Sequence, residues 1–293
     1  MENVMNKIVQ RLLIFFIGIP SVLGVVFLPY YHELPLHVVI CLCSILASLE
    51  LYALFSKNSR LVPKLLIVTL NAIIPISAYM LILYNATHAN APFPFDYITW
   101  VFLADAAIIL GYNVLAAKTF EHANTSAALS LLIIFFTGYL ITFISRMTIY
   151  RNAPYYIATF LFLVFMCDSA AWLFGMLFGK NNRGVTAASP NKSIAGFAGG
   201  YAGCVAAAIT AHMLLPKVFV GYLWKPVVLG ILVATSSIIG DLVESVFKRS
   251  AGVKDSGTII LGRGGVLDSI DSILFSAPVF YITLHLLYGT PLL

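Results

Sequence analysis

Nine runs of mainly apolar residues, each about 20 long, recur along the chain: 12–30, 36–56, 65–85, 98–117, 127–145, 155–179, 196–215, 226–247 and 270–289. A helix of ~20 apolar residues crosses about 30 Å of hydrocarbon. Each run therefore predicts a membrane-spanning helix. The stretches between them are short and carry the expected breakers: Lys57 to Lys64, Asn90-Ala91-Pro92-Phe93-Pro94, and Pro216 with Pro226. Nine such spans leave no room in 293 residues for a sizeable soluble domain, and no internal repeat of a transporter kind is visible. The pattern predicts an all-α polytopic membrane protein with about nine transmembrane helices, residues 1–293 forming one transmembrane domain. The first run follows Lys7 and Arg11. It exceeds the 7–15 residues of a signal peptide's apolar region and has no small-residue cleavage site after it, so it reads as a retained helix.

Composition agrees. The chain is 60% apolar and 10% charged, with a mean hydropathy of +0.95, against roughly 45–50% and about 25% for a soluble domain. This excludes a soluble fold, a disordered chain and a small disulfide scaffold. The net charge of +5 reflects topology. With the N-terminus inside, thirteen of the seventeen basic residues fall on cytoplasmic segments, and Arg146, Arg151, Lys217 and Lys225 fall outside, as the positive-inside rule requires. The expected location is the cell inner (plasma) membrane. Anionic lipid headgroups are the partners that such charge attracts, and nucleic acid is not. Cys41, Cys43, Cys167 and Cys204 all lie in predicted spans without metal spacing and read as buried thiols.

The acids change the picture. Six of the twelve lie in two segments, 168–196 and 240–272, both on the cytoplasmic side. An intramembrane charge costs at least about 2.5 kcal/mol, so each such carboxylate is a functional candidate. In the stretch from Ile239 to Arg249, Asp241, Glu244, Ser245 and Lys248 stand at i, i+3, i+4 and i+7, on one stripe of a helix. A Glu244–Lys248 pair would explain two of them but not Asp241, a turn deeper. Downstream come Lys254-Asp255-Ser256-Gly257, Gly262-Arg263-Gly264-Gly265 and Asp268-Ser269-Ile270-Asp271. Glycines let backbone amides approach an anion, and Lys and Arg add charge. Carboxylates beside the same phosphates imply a divalent metal between them. The second segment carries Asp168, Gly175, Gly179-Lys180, Ser189-Pro190-Asn191-Lys192-Ser193 and Gly196. Its glycines have small-x-x-x-small spacing, which predicts close helix packing. Ser189 to Lys192 predicts a loop turning into the next helix.

Together these residues resemble a known family. Ser245-x-x-Lys248-Arg249, Lys254-Asp255-Ser256-Gly257 and Gly264-Gly265-Val266-x-Asp268-x-x-Asp271 are similar to the C-terminal signature of phosphatidate cytidylyltransferases (CDP-diacylglycerol synthases). Gly240-Asp241-Leu242-x-Glu244 fits as its lead-in, and Asp168-x-x-Ala171-Trp172 with Ser189-Pro190-x-Lys192-Ser193 resembles its other characteristic stretch. The likeness is specific over 168–272 and places the catalytic motifs at the cytoplasmic face. It implies a nucleotidyltransferase that joins CTP to phosphatidate with Mg²⁺ and releases pyrophosphate. It further implies Asp241 and Asp268 as metal ligands, and Lys248, Arg249 and Lys254 as phosphate-facing cations. Asp255 and Asp271 complete the catalytic set; Asp168, Ser189, Lys192, Ser245, Arg263, Gly264 and Gly265 are expected at the substrates. A homodimer is the oligomer this reading allows. No covalent nucleophile is evident, and all six histidines lie outside the two segments. The sequence departs from the family pattern at Ala195, Leu261, Arg263 and Ser269, where the family usually has Glu, Pro, His and Arg. The alternatives are a homologue acting on another lipid phosphate, and a transporter using Glu50, Asp105 and Asp168 as ion sites.

Overall fold

The computed structural model describes residues 18–88, 92–94, 96–116, 120–260, 262 and 264–290. Among these the chain is helical, with two isolated bridges and no strand. In order the helices are α1 (Ile19–Val26), α2 (Leu34–Phe55), α3 (Lys64–Thr87), α4 (Asp96–Ala116), α5 (Ala123–Ile133), a π-helical segment (Ile134–Tyr139), α6 (Thr142–Met147), α7 (Ala153–Phe178), α8 (Ile194–Leu214), α9 (Trp224–Ser250) and α10 (Leu267–Tyr288). Eight stretches among the described residues are long and apolar enough to cross a membrane, with Ala123–Met147 counted as one. They match eight of the nine expected spans. The expected run 12–30 falls largely outside the described residues, and α1 is its described part. Cys167 and Cys204 are buried as expected, while Cys41 and Cys43 are half-buried; all four are free thiols.

The chain divides into two compact units. One comprises the chain up to Ile149 together with Ser250–Ser269, and the other comprises Tyr150–Arg249 with the chain from Ile270. In the first, the helices are apolar all round, so specific packing depends on small residues and polar contacts. Such a contact sits at its centre. Asn71 donates to Ser44 Oγ (2.9 Å), Thr137 Oγ1 donates to Asn71 Oδ1 (2.8 Å), and Ser44 Oγ donates to the Thr137 carbonyl (2.8 Å). This knot ties α2 and α3 to the π-helical segment, where the Leu140 amide reaches back to Phe135 O (3.1 Å). A widened turn of this kind leaves a carbonyl available to an outside donor. The continuous helix predicted over 127–145 is therefore interrupted, because a buried hydroxyl takes a backbone acceptor.

In the second unit, glycine faces set the helix spacing. A Cβ on Gly199 would stand 2.6 Å from Phe174 Cγ and 2.9 Å from Ala170 O, and one on Gly203 would stand 2.9 Å from Met166 O. Gly196 and Gly200 meet α7 in the same way, with Ala171 O at 3.0 Å and Cys167 Sγ at 3.3 Å from their would-be Cβ positions. The small-x-x-x-small reading is thus the packing of α7 on α8. Gly230 faces Val205 Cα at 2.7 Å and joins α8 to α9. Gly240 faces Phe275 Cβ at 2.7 Å and joins α9 to α10.

Candidate active site

Close packing of α7 and α8 brings the connection between them, residues 179–193, back over the end of the pair. Gly184 (φ +81°) makes the turn that glycine tolerates. Its amide donates to the carbonyls of Pro190 (3.0 Å) and Lys192 (3.1 Å), and Ile194 N donates to Asn182 O (3.1 Å). The predicted turn at Ser189 is closed by Lys192 N donating to Ser189 O (3.1 Å). Ser193 then caps α8, its buried hydroxyl accepting from Gly196 N (3.0 Å). An N-cap serine contributes about 1 kcal/mol. Ser193→Ala is expected to lower the stability of the detergent-solubilised protein by roughly that amount, read as a drop in thermal midpoint.

This connection forms the rim of a cavity of about 440 Å³, within the size range of small-molecule sites. Its charged lining is Asp168, Arg183, Lys192 and Asp241, with Trp172 and Phe197 among the apolar walls. Lys192 pairs with Asp241 across the cavity, and its ammonium also stands 6.0 Å from the Phe197 ring centre. Arg249 donates from Nε to Ala188 O (3.2 Å), tying the end of α9 to the same connection. The segments beginning at Asp168 and at Asp241, 73 positions apart in sequence, thus meet at one cavity. Asp271 on α10 is buried and within electrostatic reach of Asp241, Glu244 and Asp168. Its Oδ1 accepts from Ser272 N (2.6 Å). Ser245 is buried on α9, and Lys248 pairs with the fully buried Glu244. Arg183 is the cavity residue missed among the candidates. Its signal was a cation immediately before Gly184, which counted only towards topology.

The remaining candidates belong to the other unit. Lys254 and Asp255 are exposed. Gly264 (φ +109°) pairs with Ile260 through hydrogen bonds of 2.8 and 3.0 Å, and a Cβ there would stand 2.5 Å from Asp268 Oδ2. That oxygen accepts from Gly265 N (2.7 Å), Ser256 N (2.8 Å) and Ser256 Oγ (2.9 Å). Asp268 therefore shapes the glycine loop before α10. Ser269 donates back to Gly265 O (3.3 Å). Arg263 and Leu261 lie outside the described residues. Of the acids a transporter would use, Asp105 is buried in α4, Asp168 lines the cavity, and Glu50 is held by the loop before α10: Val266 N donates to Oε1 (2.9 Å) and Leu267 N to Oε2 (2.8 Å).

A polytopic helical protein with cations and carboxylates around a small cavity is a membrane protein equipped to handle anionic groups. The family model described as "Cytidylyltransferase family" matches residues 9–287, and the chain belongs to that family. It is 35% identical over 191 residues to the phosphatidate cytidylyltransferase of Staphylococcus saprophyticus, covering 62% of this chain and 67% of that protein. The proteins of the same name from Staphylococcus haemolyticus and Staphylococcus aureus are 34% identical over 188 residues and 33% over 182, with the same coverage.

Proposed function

We propose that this chain is a phosphatidate cytidylyltransferase of the plasma membrane, joining CTP and phosphatidate to give CDP-diacylglycerol and pyrophosphate at the cytoplasmic face. The observation that carries the reading is the cavity where Lys192, Arg183 and Asp168 meet Asp241, in a family member whose named relatives carry that activity. In the reaction a phosphatidate oxygen forms a bond to the α-phosphorus of CTP. The bond from that phosphorus to the oxygen bridging to the β-phosphorus breaks, and the electron pair leaves with pyrophosphate. Two anions meet only where their charge is offset, and such stabilisation is the largest catalytic contribution expected here. Lys192 and Arg183 face the cavity and hold phosphate oxygens, while Arg249 is anchored on the rim. Asp241 orients Lys192 through their ion pair.

The donor chemistry also suits Mg²⁺. Among the described residues no three His, Cys, Asp or Glu side chains stand at metal-binding spacing. Mg²⁺, however, takes one or two carboxylates and completes its shell with waters and substrate phosphates. Asp241, with Asp168 and Asp271 near it, offers such oxygens. Asp268, the other ligand the family likeness implies, presents a carboxylate already oriented by three donors. When bound, the metal neutralises phosphate charge and polarises the phosphoryl group.

Purified protein in detergent, given labelled CTP, phosphatidate and Mg²⁺, is expected to form CDP-lipid, and excess EDTA is expected to reduce this to background. Absence of CDP-lipid overturns the proposal. Preference for a polyprenol phosphate replaces its lipid substrate, and ion flux in liposomes without CDP-lipid points to transport.

A further inference from the structure

Glu50 is a carboxylate inside a membrane-spanning helix, only 7% exposed, and every partner the structure gives it comes from one distant loop. Besides the amides of Val266 and Leu267, the hydroxyl of Ser256 stands 2.9 Å from its Oε2. The loop is built around this group. A Cβ on Gly257 would stand 2.5 Å from Oε1, and one on Gly265 would stand 2.6 Å from the carboxylate carbon. Both positions are glycine where the carboxylate needs the space. Val266 and Leu267 open α10, where the first amides have no partner inside the helix and favour an anion.

The same loop carries Asp268. Ser256 Oγ lies 2.9 Å from both Glu50 Oε2 and Asp268 Oδ2, and Asp268 holds the Ser256 and Gly265 amides, at the two residues beside Gly257 and Val266. Glu50 and Asp268 thus grip the Ser256–Leu267 segment from two sides and meet at one hydroxyl. An apolar residue at 50 would fill the space without the membrane cost of a charge, but it would leave the Val266 and Leu267 amides without their carboxylate partner in a buried place, and the Ser256 hydroxyl with Asp268 alone.

We infer that Glu50 is a positioning residue of the reaction: it fixes the Ser256–Leu267 loop and, through it, the direction in which Asp268 presents its carboxylate. This rests on the reading of Asp268 as part of the cytidylyltransferase machinery. Groups that orient a metal-binding carboxylate typically affect metal affinity or activity 10–100-fold.

The test uses Glu50→Gln in the full-length chain in detergent, since glutamine keeps the size but turns an amide group towards backbone donors. Hydrogen–deuterium exchange without metal or substrate is expected to speed up at least about 10-fold across 256–268 and to stay unchanged across 153–178. In the activity assay, CDP-lipid formation is expected to fall about 10–100-fold, with the Mg²⁺ concentration for half-maximal rate shifted upward and partial recovery in Glu50→Asp. Wild-type exchange in Glu50→Gln overturns the clamp. Faster exchange with unchanged rate and unchanged Mg²⁺ requirement overturns the positioning role. Faster exchange in a protein whose wild type makes no CDP-lipid leaves the clamp standing and removes the proposed function instead. If Glu50→Gln does not accumulate, Ser256→Ala, which removes only the shared hydroxyl, is expected to show the same exchange and Mg²⁺ shifts at smaller size. A wild-type result there overturns the inference.

Discussion

Asp241→Asn is expected to lower CDP-lipid formation at least about 10²-fold, the loss typical of a removed electrostatic contact at a reacting centre. Asparagine keeps the shape of the side chain and removes its charge. Lys192 then loses its ion-pair partner, and the cavity loses the carboxylate proposed above to offer oxygens to Mg²⁺. The fold is expected to survive. The side chains of Lys192 and Asp241 are 21% and 37% exposed, and pairs with that much solvent access contribute little to stability. The helix spacing around them is set by glycine contacts that the substitution leaves alone. Helix content and thermal midpoint should therefore match the wild type while turnover collapses. Wild-type turnover in Asp241→Asn would remove Asp241 from the machinery, and a matching loss of helix content would make its role structural.

Gly199→Val is expected to have the largest effect on stability. The new side chain would run into the Phe174 ring and the Ala170 carbonyl on α7. A ring can turn, but a backbone carbonyl in a regular helix cannot move aside without losing its own hydrogen bond. Overpacking usually costs about 1–3 kcal/mol, and this case belongs at the upper end or beyond. Gly111→Val is the matched control, because nothing lies within 4 Å of a Cβ at Gly111. Thermal unfolding in detergent should show a much lower midpoint, or loss of folded protein, for Gly199→Val and little change for the control. Equal midpoints would mean that α7 and α8 separate easily.

Much of this was legible in the sequence, because lipid permits few solutions. Runs of about 20 apolar residues admit only helices, and eight of the nine expected from the pattern are present among the described residues. The glycine spacing on 175–200 likewise foretold the packing of α7 on α8. The convergence of Asp168, Lys192 and Asp241 was legible only through family likeness, since no local pattern links positions 73 apart. The break at Ile134–Tyr139 was not legible. It depends on Ser44 and Asn71, two unremarkable polar residues in other helices. Glu50 was conspicuous as an acid within an apolar run, but its role was hidden, because its partners are mainly backbone amides and every residue has one. The pair at Glu244 and Lys248 shows the reverse: the simple i, i+4 reading is what the structure contains, and Asp241, which it left unexplained, is the residue at the cavity.

The grip on Glu50 also has a consequence in time. Its partners lie 206 to 217 positions further along the chain. At the ribosome's pace of about 5–20 residues per second, roughly 10–40 s separate their syntheses. During that interval α2 carries a carboxylate whose final partners do not yet exist. A nascent chain stalled before residue 256 cannot close the loop, however well its first helices have inserted. Assembly of this clamp thereby waits for the synthesis of Ser256, Val266 and Leu267, and chains truncated before them should accumulate as inert membrane protein.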